Sequence, residues 1–286
     1  MYCSLAEARS ELKSSSTVDD KQVLRYIRQV SARIDGLLNP GARRPYFAPY
    51  VETRRFPIDP GHVDSLRGVF RLTDPLLALT TAVAAGTDIT ALVEGYPPAS
   101  SPIRALWFLN SGYDWYSYCS SSGRRPEFLA VTGLWGFHRN YAGAWVTIDN
   151  VTTTAVTPSA TSFTVADVDG ADPDGFSPRL SAGHLIRFGS ASEINEVTGT
   201  TGTNTAQMRR AVNGSSAPSA DYAIGTAVQV WQTEDVIRRV VARQAALMYA
   251  RQGAFQVETL DGVGSISYPQ DLLTELSSVL NEYQYL

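Results

Sequence analysis

Between Thr17 and Asn39 the apolar residues Val23, Ile27, Val30, Ile34 and Leu37 recur at intervals of four, three, four and three. That spacing puts them on one face of a helix, opened by Thr17, Asp19 and Asp20 and stopped at Asn39-Pro40-Gly41. A shorter helix is predicted before it, from about Ser4 to Lys13, because Ser4 and Glu7 make a capping-box pattern. Helical spacing then disappears until Thr233, an N-cap candidate with Glu234 and Asp235 in its first turn. Val236, Ile237, Val240, Val241, Leu247 and Met248 form the stripe to be buried there, leaving Arg238, Arg239, Arg243 and Arg251 for the surface. A last helix is expected after Pro269, with Leu272, Leu273, Leu276, Val279, Leu280 and Tyr283 on its apolar face.

The middle of the chain has a different rhythm. "YVETRRF", "LLALTTAV", "IRALWFL" and "EFLAVTGLWGF" are short runs rich in β-branched and aromatic residues, bounded by Pro, Gly, Asp and Ser, and they predict strands. "AAGTD" at 84–88 is a hairpin turn candidate. Residues 146–232 hold few large apolar residues and much Thr, Ser, Gly, Ala and Asp. Alternation in "SFTVADV", "LIRFG", "AQMRRAV" and "AVQVW" predicts a separate module of short strands. The fold class expected is α+β: a helical core of two N-terminal and two C-terminal helices, a small antiparallel β-sheet, and an all-β barrel or sandwich module.

Composition narrows the class. With 44% hydrophobic and 18% charged residues in 286, the chain reads as globular, and no apolar run is long enough for a transmembrane helix. The opening "MYCSLAEARSELK" lacks the features of a secretory signal, and a lipid anchor at Cys3 is not expected. Cys3 and Cys119, the only cysteines, are read as reduced and structural. The net charge of −4 is unevenly distributed: residues 1–72 carry +4 and residues 146–232 carry −4. Such an imbalance suits complementary surfaces between subunits.

Candidate chemistry is sparse. His62, His138 and His184 lie in different regions without a partner at metal-ligand spacing, and no nucleophile elbow, Walker loop or dinucleotide fingerprint occurs. No catalytic residue, metal or cofactor is therefore assigned. "DVDGADPDG" offers Asp167, Asp169, Asp172 and Asp174 as hard oxygen ligands, but the twelfth position is Pro178 where an EF-hand needs Glu. It reads as an acidic turn. Arg43, Arg44, Arg54 and Arg55 alternate with aromatics, as in a strand that grips phosphate. Against that stand a pI of 5.4 and only two lysines, so the four arginines are assigned to a subunit interface, where they can pair bidentately with carboxylates. A carbohydrate-binding or adhesion role for the β module is the alternative, through Phe163, Phe188, Tyr222 and Trp231. The sequons at Asn150 and Asn213 carry meaning only for a secreted chain.

Several of these segments together resemble the head–tail adaptor (connector) family of tailed bacteriophages. "YCSLAEARSEL…DDKQVLRYIRQVSARIDGLL" is similar to the family's opening, with Ile34-Asp35 as its closing pair. Val131, Thr132, Gly133, Trp135, Gly136 and Phe137 resemble a family strand motif, and "DVIRRVVARQAALMY" resembles the helix that follows it. The resemblance implies an adaptor core of 1–145 and 233–286, with 146–232 inserted as a β domain. It further implies a non-enzymatic ring, commonly of twelve copies, below the portal in the virion neck, assembled in the host cytoplasm. Its partners would be the portal protein, a downstream stopper or tail protein and its own copies, with genomic DNA passing through without specific binding. The acidic balance suits such a conduit. Leu280, Tyr283, Tyr285 and Leu286 are the portal-docking residues that the resemblance implies.

Overall fold

The computed structural model describes residues 1–12, 19–39, 44–58, 61–64, 68–84, 86–109, 128–251 and 274–284. The chain divides into two compact units. The first comprises Met1–Arg44, Trp145–Val212 and Ser216–Leu286; the second comprises Pro45–Ala144 and Asn213–Ser215. Most of residues 146–232 thus group with the terminal helices, while 213–215 group with residues 45–144.

The second unit is a seven-stranded antiparallel sheet. Its strands are β1 (Tyr50–Pro57), β2 (Val63–Asp64), β3 (Val69–Ala84), β4 (Thr87–Asp88), β5 (Val93–Tyr96), β6 (Ile103–Phe108) and β7 (Phe128–Trp135). The main order is β1-β7-β3-β6-β5, with β2 and β4 paired on β3. β3 holds it together. Register shifts between Arg71 and Leu76, Leu76 and Ala78, and Leu79 and Thr81 let one strand pair with β6 over its first half and β7 over its second. The "AAGTD" hairpin joins β3 to β4 through Val83–Asp88 and Ala84–Thr87. Phe56, Phe70, Leu76, Leu106, Leu129, Val131 and Trp135 form the core.

The "VTGLWGF" stretch shows why those residues stand there. Val131 is buried, and the Thr132 hydroxyl meets that of Thr53 at 2.7 Å across the β1–β7 pair. Gly133 passes so close to β3 that a Cβ would lie 2.3 Å from the Ala78 carbonyl oxygen. The Trp135 indole donates to the Glu52 carbonyl at 2.9 Å. Gly136 has φ +143°, open to glycine, and its N–H reaches the Pro75 carbonyl. Phe137 then stacks on Tyr46 at 5.7 Å and meets Phe47 edge-on.

The first unit has a helical layer and a second sheet. Its helices are α1 (Leu5–Glu11), α2 (Asp20–Leu38), α3 (Asp235–Arg251) and α4 (Thr274–Gln284). The capping box at α1 is present, with the Ser4 hydroxyl accepting from Glu7 N and the Glu7 carboxylate accepting from Ser4 N. Val23, Ile27, Val30 and Ile34 are buried on α2, whereas Leu37 is exposed. α3 buries Ile237, Val240, Val241, Ala245 and Ala246 but leaves Val236 exposed. Pro269, Leu272 and Leu273 lie outside the described residues; Leu276, Leu280 and Tyr283 are buried on α4. Each of α1, α2 and α4 packs on α3, and α2 also touches α1 and α4.

The sheet of this unit contains β8 (Trp145–Asn150), β9 (Ser162–Thr164), β10 (Leu185–Phe188), β11 (Asn195–Thr201), β12 (Thr205–Arg209) and β13 (Ala227–Trp231), in the order β8-β13-β10-β11-β12-β9. Hydrogen bonds from Thr152 N to the Thr164 carbonyl, and from Thr153 N to the Thr164 hydroxyl, tie the chain after β8 back to β9. Phe163, Ile186, Phe188, Val197, Met208 and Val228 fill the space enclosed.

The expectation of a helical core with a small sheet is overturned. Among the described residues, 34% are in strands and 25% in helices, and the strands make two antiparallel sheets of seven and six. The reason is pairing. Runs that look short and separate along the chain merge into one large sheet because β3 is sixteen residues long and bulged. Strand pairing between remote segments leaves no local mark in the sequence.

Candidate functional site

In the first unit, stretches remote in sequence meet around one guanidinium. Arg238 stands in the first turns of α3, where Asp235 supplies the acidic start that a helix N-terminus favours. Its Nη2 lies 3.0 Å from Asp174 Oδ2 and 3.1 Å from Asp235 Oδ1, and its Nε lies 3.4 Å from Glu7 Oε1. Burial alone would pull this guanidinium down, but the carboxylates of Glu7, Asp174 and Asp235 outweigh it and raise its pKa. Close by, the Tyr283 hydroxyl of α4 donates to Glu234 at 2.9 Å. The cluster therefore clasps α1 and the 170s loop onto α3, and α4 is held beside it.

The acidic loop itself is built from its own carboxylates. Asp167 Oδ1 accepts from Asp169 N and Gly170 N, and Asp172 Oδ1 accepts from Asp174 N and Phe176 N. The Gly170 amide is the largest of the influences that lower the Asp167 pKa. Arg179 pairs with Asp149 at 3.2 Å and reaches Asp167 at 3.8 Å. These oxygens close turns and bind cationic side chains. Among the described residues no group of three His, Cys, Asp or Glu could hold a metal ion.

A cavity of about 40 Å³ borders the clasp, lined by Cys3, Glu7, Arg179, His184, Trp231 and Arg238 among others. It has room for water but falls far short of the roughly 300–1,000 Å³ typical of small-molecule sites. Cys3 and His184 both reach it, and their electrostatics oppose a thiolate–imidazolium pair. Burial, with Glu7 adding to it, pushes the Cys3 thiol well above its ordinary range. Burial also lowers His184 to about 4, so its imidazole is neutral near pH 7. An activated cysteine requires both shifts reversed. His184 instead faces Ser181, whose N–H and hydroxyl lie 3.4 and 3.5 Å from its ring nitrogens. In the second unit His62 stacks on Phe70 at 5.5 Å, and His138 Nδ1 accepts from Asn140 N at 3.0 Å.

The arginines assigned to an interface stand in different surroundings where they are described. Arg54 is buried, lies 4.3 Å over the Trp135 ring, and pairs with Asp74 at 2.9 Å and Glu52 at 3.2 Å. Arg55 points to the opposite, exposed side of β1, as strand alternation requires. Arg44 is half-buried, and Arg43 lies outside the described residues. Of the docking residues, Leu280 and Tyr283 are buried in the helical layer, while Tyr285 and Leu286 lie outside the described residues. Phe163, Phe188 and Trp231 are buried, and half-buried Tyr222 leans on Phe188 at 4.7 Å while its hydroxyl donates to Glu193.

The chain matches no protein-family model, no curated protein and no solved structure. Its functional reading rests on its own residues. Two polar clusters leave little trace in the sequence: the Arg238 clasp, and a set in which Arg210 holds buried Glu193 bidentately while Tyr222 donates to the same carboxylate. Arg238 falls at a surface position by helical spacing, and the only signal was the surplus of acids in the 167–175 loop.

Proposed function

We propose that this chain is a structural head–tail adaptor of a tailed-phage neck. It forms a ring, of twelve copies, beneath the portal, extends the DNA channel, and offers a platform to the next neck or tail protein. The observation that carries this reading is the meeting of the two helical stretches behind the resemblance. α1 and α2 pack on α3, and Asp19 N donates to the hydroxyl of Tyr249, 230 residues further along. The Glu7–Arg238 and Glu11–Arg243 ion pairs join the same segments. The first and last parts of the chain thus build one helical layer, on which the helical part of the resemblance falls.

A ring needs two different faces on each subunit, and the +4 and −4 segments supply opposite charge within one chain. With Leu280 and Tyr283 engaged in the helical layer, docking on the portal falls to the last residues, Tyr285 and Leu286. The test is to mix the purified chain with rings of the portal protein from the same genome and follow co-sedimentation and negative-stain images. The adaptor should add a second ring to the portal. Removing residues 285–286 should abolish this without altering the circular-dichroism spectrum. A chain that stays monomeric and never sediments with the portal overturns the reading.

A further inference from the structure

α2 has a second face that the core does not use. Opposite Val23, Ile27, Val30 and Ile34, the exposed side carries Lys21, Arg25, Arg28 and Arg33, with Gln29, Ala32 and Gly36 between them. At 3.6 residues per turn, Lys21, Arg25 and Arg28 fall within about 60° of one another, Arg33 lies about 80° further round, and the set spans about 18 Å. The acids of the same stretch are turned to other work. The Asp19 carboxylate accepts from Lys21 N and Gln22 N at the N-cap, Asp20 pairs with Arg9, and Asp35 accepts from the Tyr2 hydroxyl. Among the described residues, no ion pair is made by any of the four cations.

We infer that this face of α2 binds the phosphate backbone of duplex nucleic acid, without regard to base sequence. A protein partner would be expected to meet apolar or aromatic anchors at the centre of the contact. At its centre this face offers only Ala32 and Gly36, small residues that let a broad surface approach, and its one exposed large apolar neighbour, Leu37, sits at the C-terminal end beyond Arg33. It has no exposed aromatic on which an unpaired base could stack, Tyr26 at its edge being half-buried, which separates it from single-strand grooves. What it offers is four fixed cations along a rigid rod, and the match for these is a line of phosphates. The net charge of −4 does not oppose this, because acids beyond about 10 Å are screened at 0.1 M salt. The inference goes beyond the adaptor reading and stands without it, since binding is measured on the free chain.

The experiment is fluorescence anisotropy of a labelled mixed-sequence DNA duplex titrated with the full chain between about 50 and 200 mM salt. Four phosphate contacts give a slope of log K against log salt of about −3.6, or roughly a hundredfold loss of affinity across that range. Each of Lys21→Gln, Arg25→Gln, Arg28→Gln and Arg33→Gln should lower the slope by about 0.9, and the quadruple variant should lose binding. Arg209→Gln, which removes an exposed arginine already paired with Glu196, should change nothing. The melting temperature checks that each variant is folded, and the single variants stand in if the quadruple one is not. No binding at the lowest salt, or a slope unchanged in the variants, overturns the inference. So does a duplex that fails to bind while the substitutions shift self-association in sedimentation velocity, which would make the face a protein interface.

Discussion

Two residues show how far a single side chain can set the behaviour of this protein. Gly133 is fixed by distance: a methyl group there would sit 2.3 Å from the Ala78 carbonyl oxygen and 2.7 Å from Leu76 Cδ1. Gly133→Ala should therefore destabilise by about 3 kcal/mol or more, visible as a large drop in melting temperature. His184 acts through protonation. Its half-buried ring borders the small cavity, and desolvation there lowers its pKa from 6.5 to about 4. The unfolded chain takes up a proton below pH 6.5 that the folded chain refuses until about pH 4. Its neutral form thus supports folding above pH 6.5, and that support is lost as the pH falls towards 4, by at most about 3 kcal/mol. In thermal melts His184→Gln should lose less stability than the wild type on acidification through this window; parallel losses would refute the assignment. The motif residues around Gly133 were legible as a strand with a Trp-Gly-aromatic ending. The contact that makes the glycine necessary was not, because Ala78 belongs to another strand.

Within single elements, local signals are legible in the sequence and their packing partners are not. The capping box of α1 and the buried stripe of α2 follow from neighbours three or four positions apart, where chain geometry alone fixes who meets whom. Val236 and Arg238 reverse the reading of α3: the apolar residue is exposed and the charged one is drawn into the clasp. Helical spacing gives a face, but the start of a helix can be turned by whatever packs against it, here α1 and the 170s loop. Arg238→Met tests that clasp. It would leave Glu7 and Asp174 without their shared cation and should cost about 3 kcal/mol in a chemical denaturation curve. A change within a few tenths of a kcal/mol would mean that the three segments are held by apolar packing alone.

For the whole molecule, the balance of structure is the property to measure. Strand exceeds helix among the described residues, so deconvolution of the far-ultraviolet circular-dichroism spectrum should return at least as much strand as helix; a helix content well above the strand content would contradict the fold. The helices, the capping box of α1 and most strand positions follow from the sequence alone, because they depend on residues close together along the chain. Only the tertiary structure decided that the short runs of residues 50–135 join in one bulged sheet, that Arg54 is buried against Trp135, and that the acids beside Lys21, Arg25, Arg28 and Arg33 are engaged elsewhere. Those outcomes turn on contacts between remote segments, whose free energy is set by packing and desolvation at the meeting point, and neither segment carries that information alone.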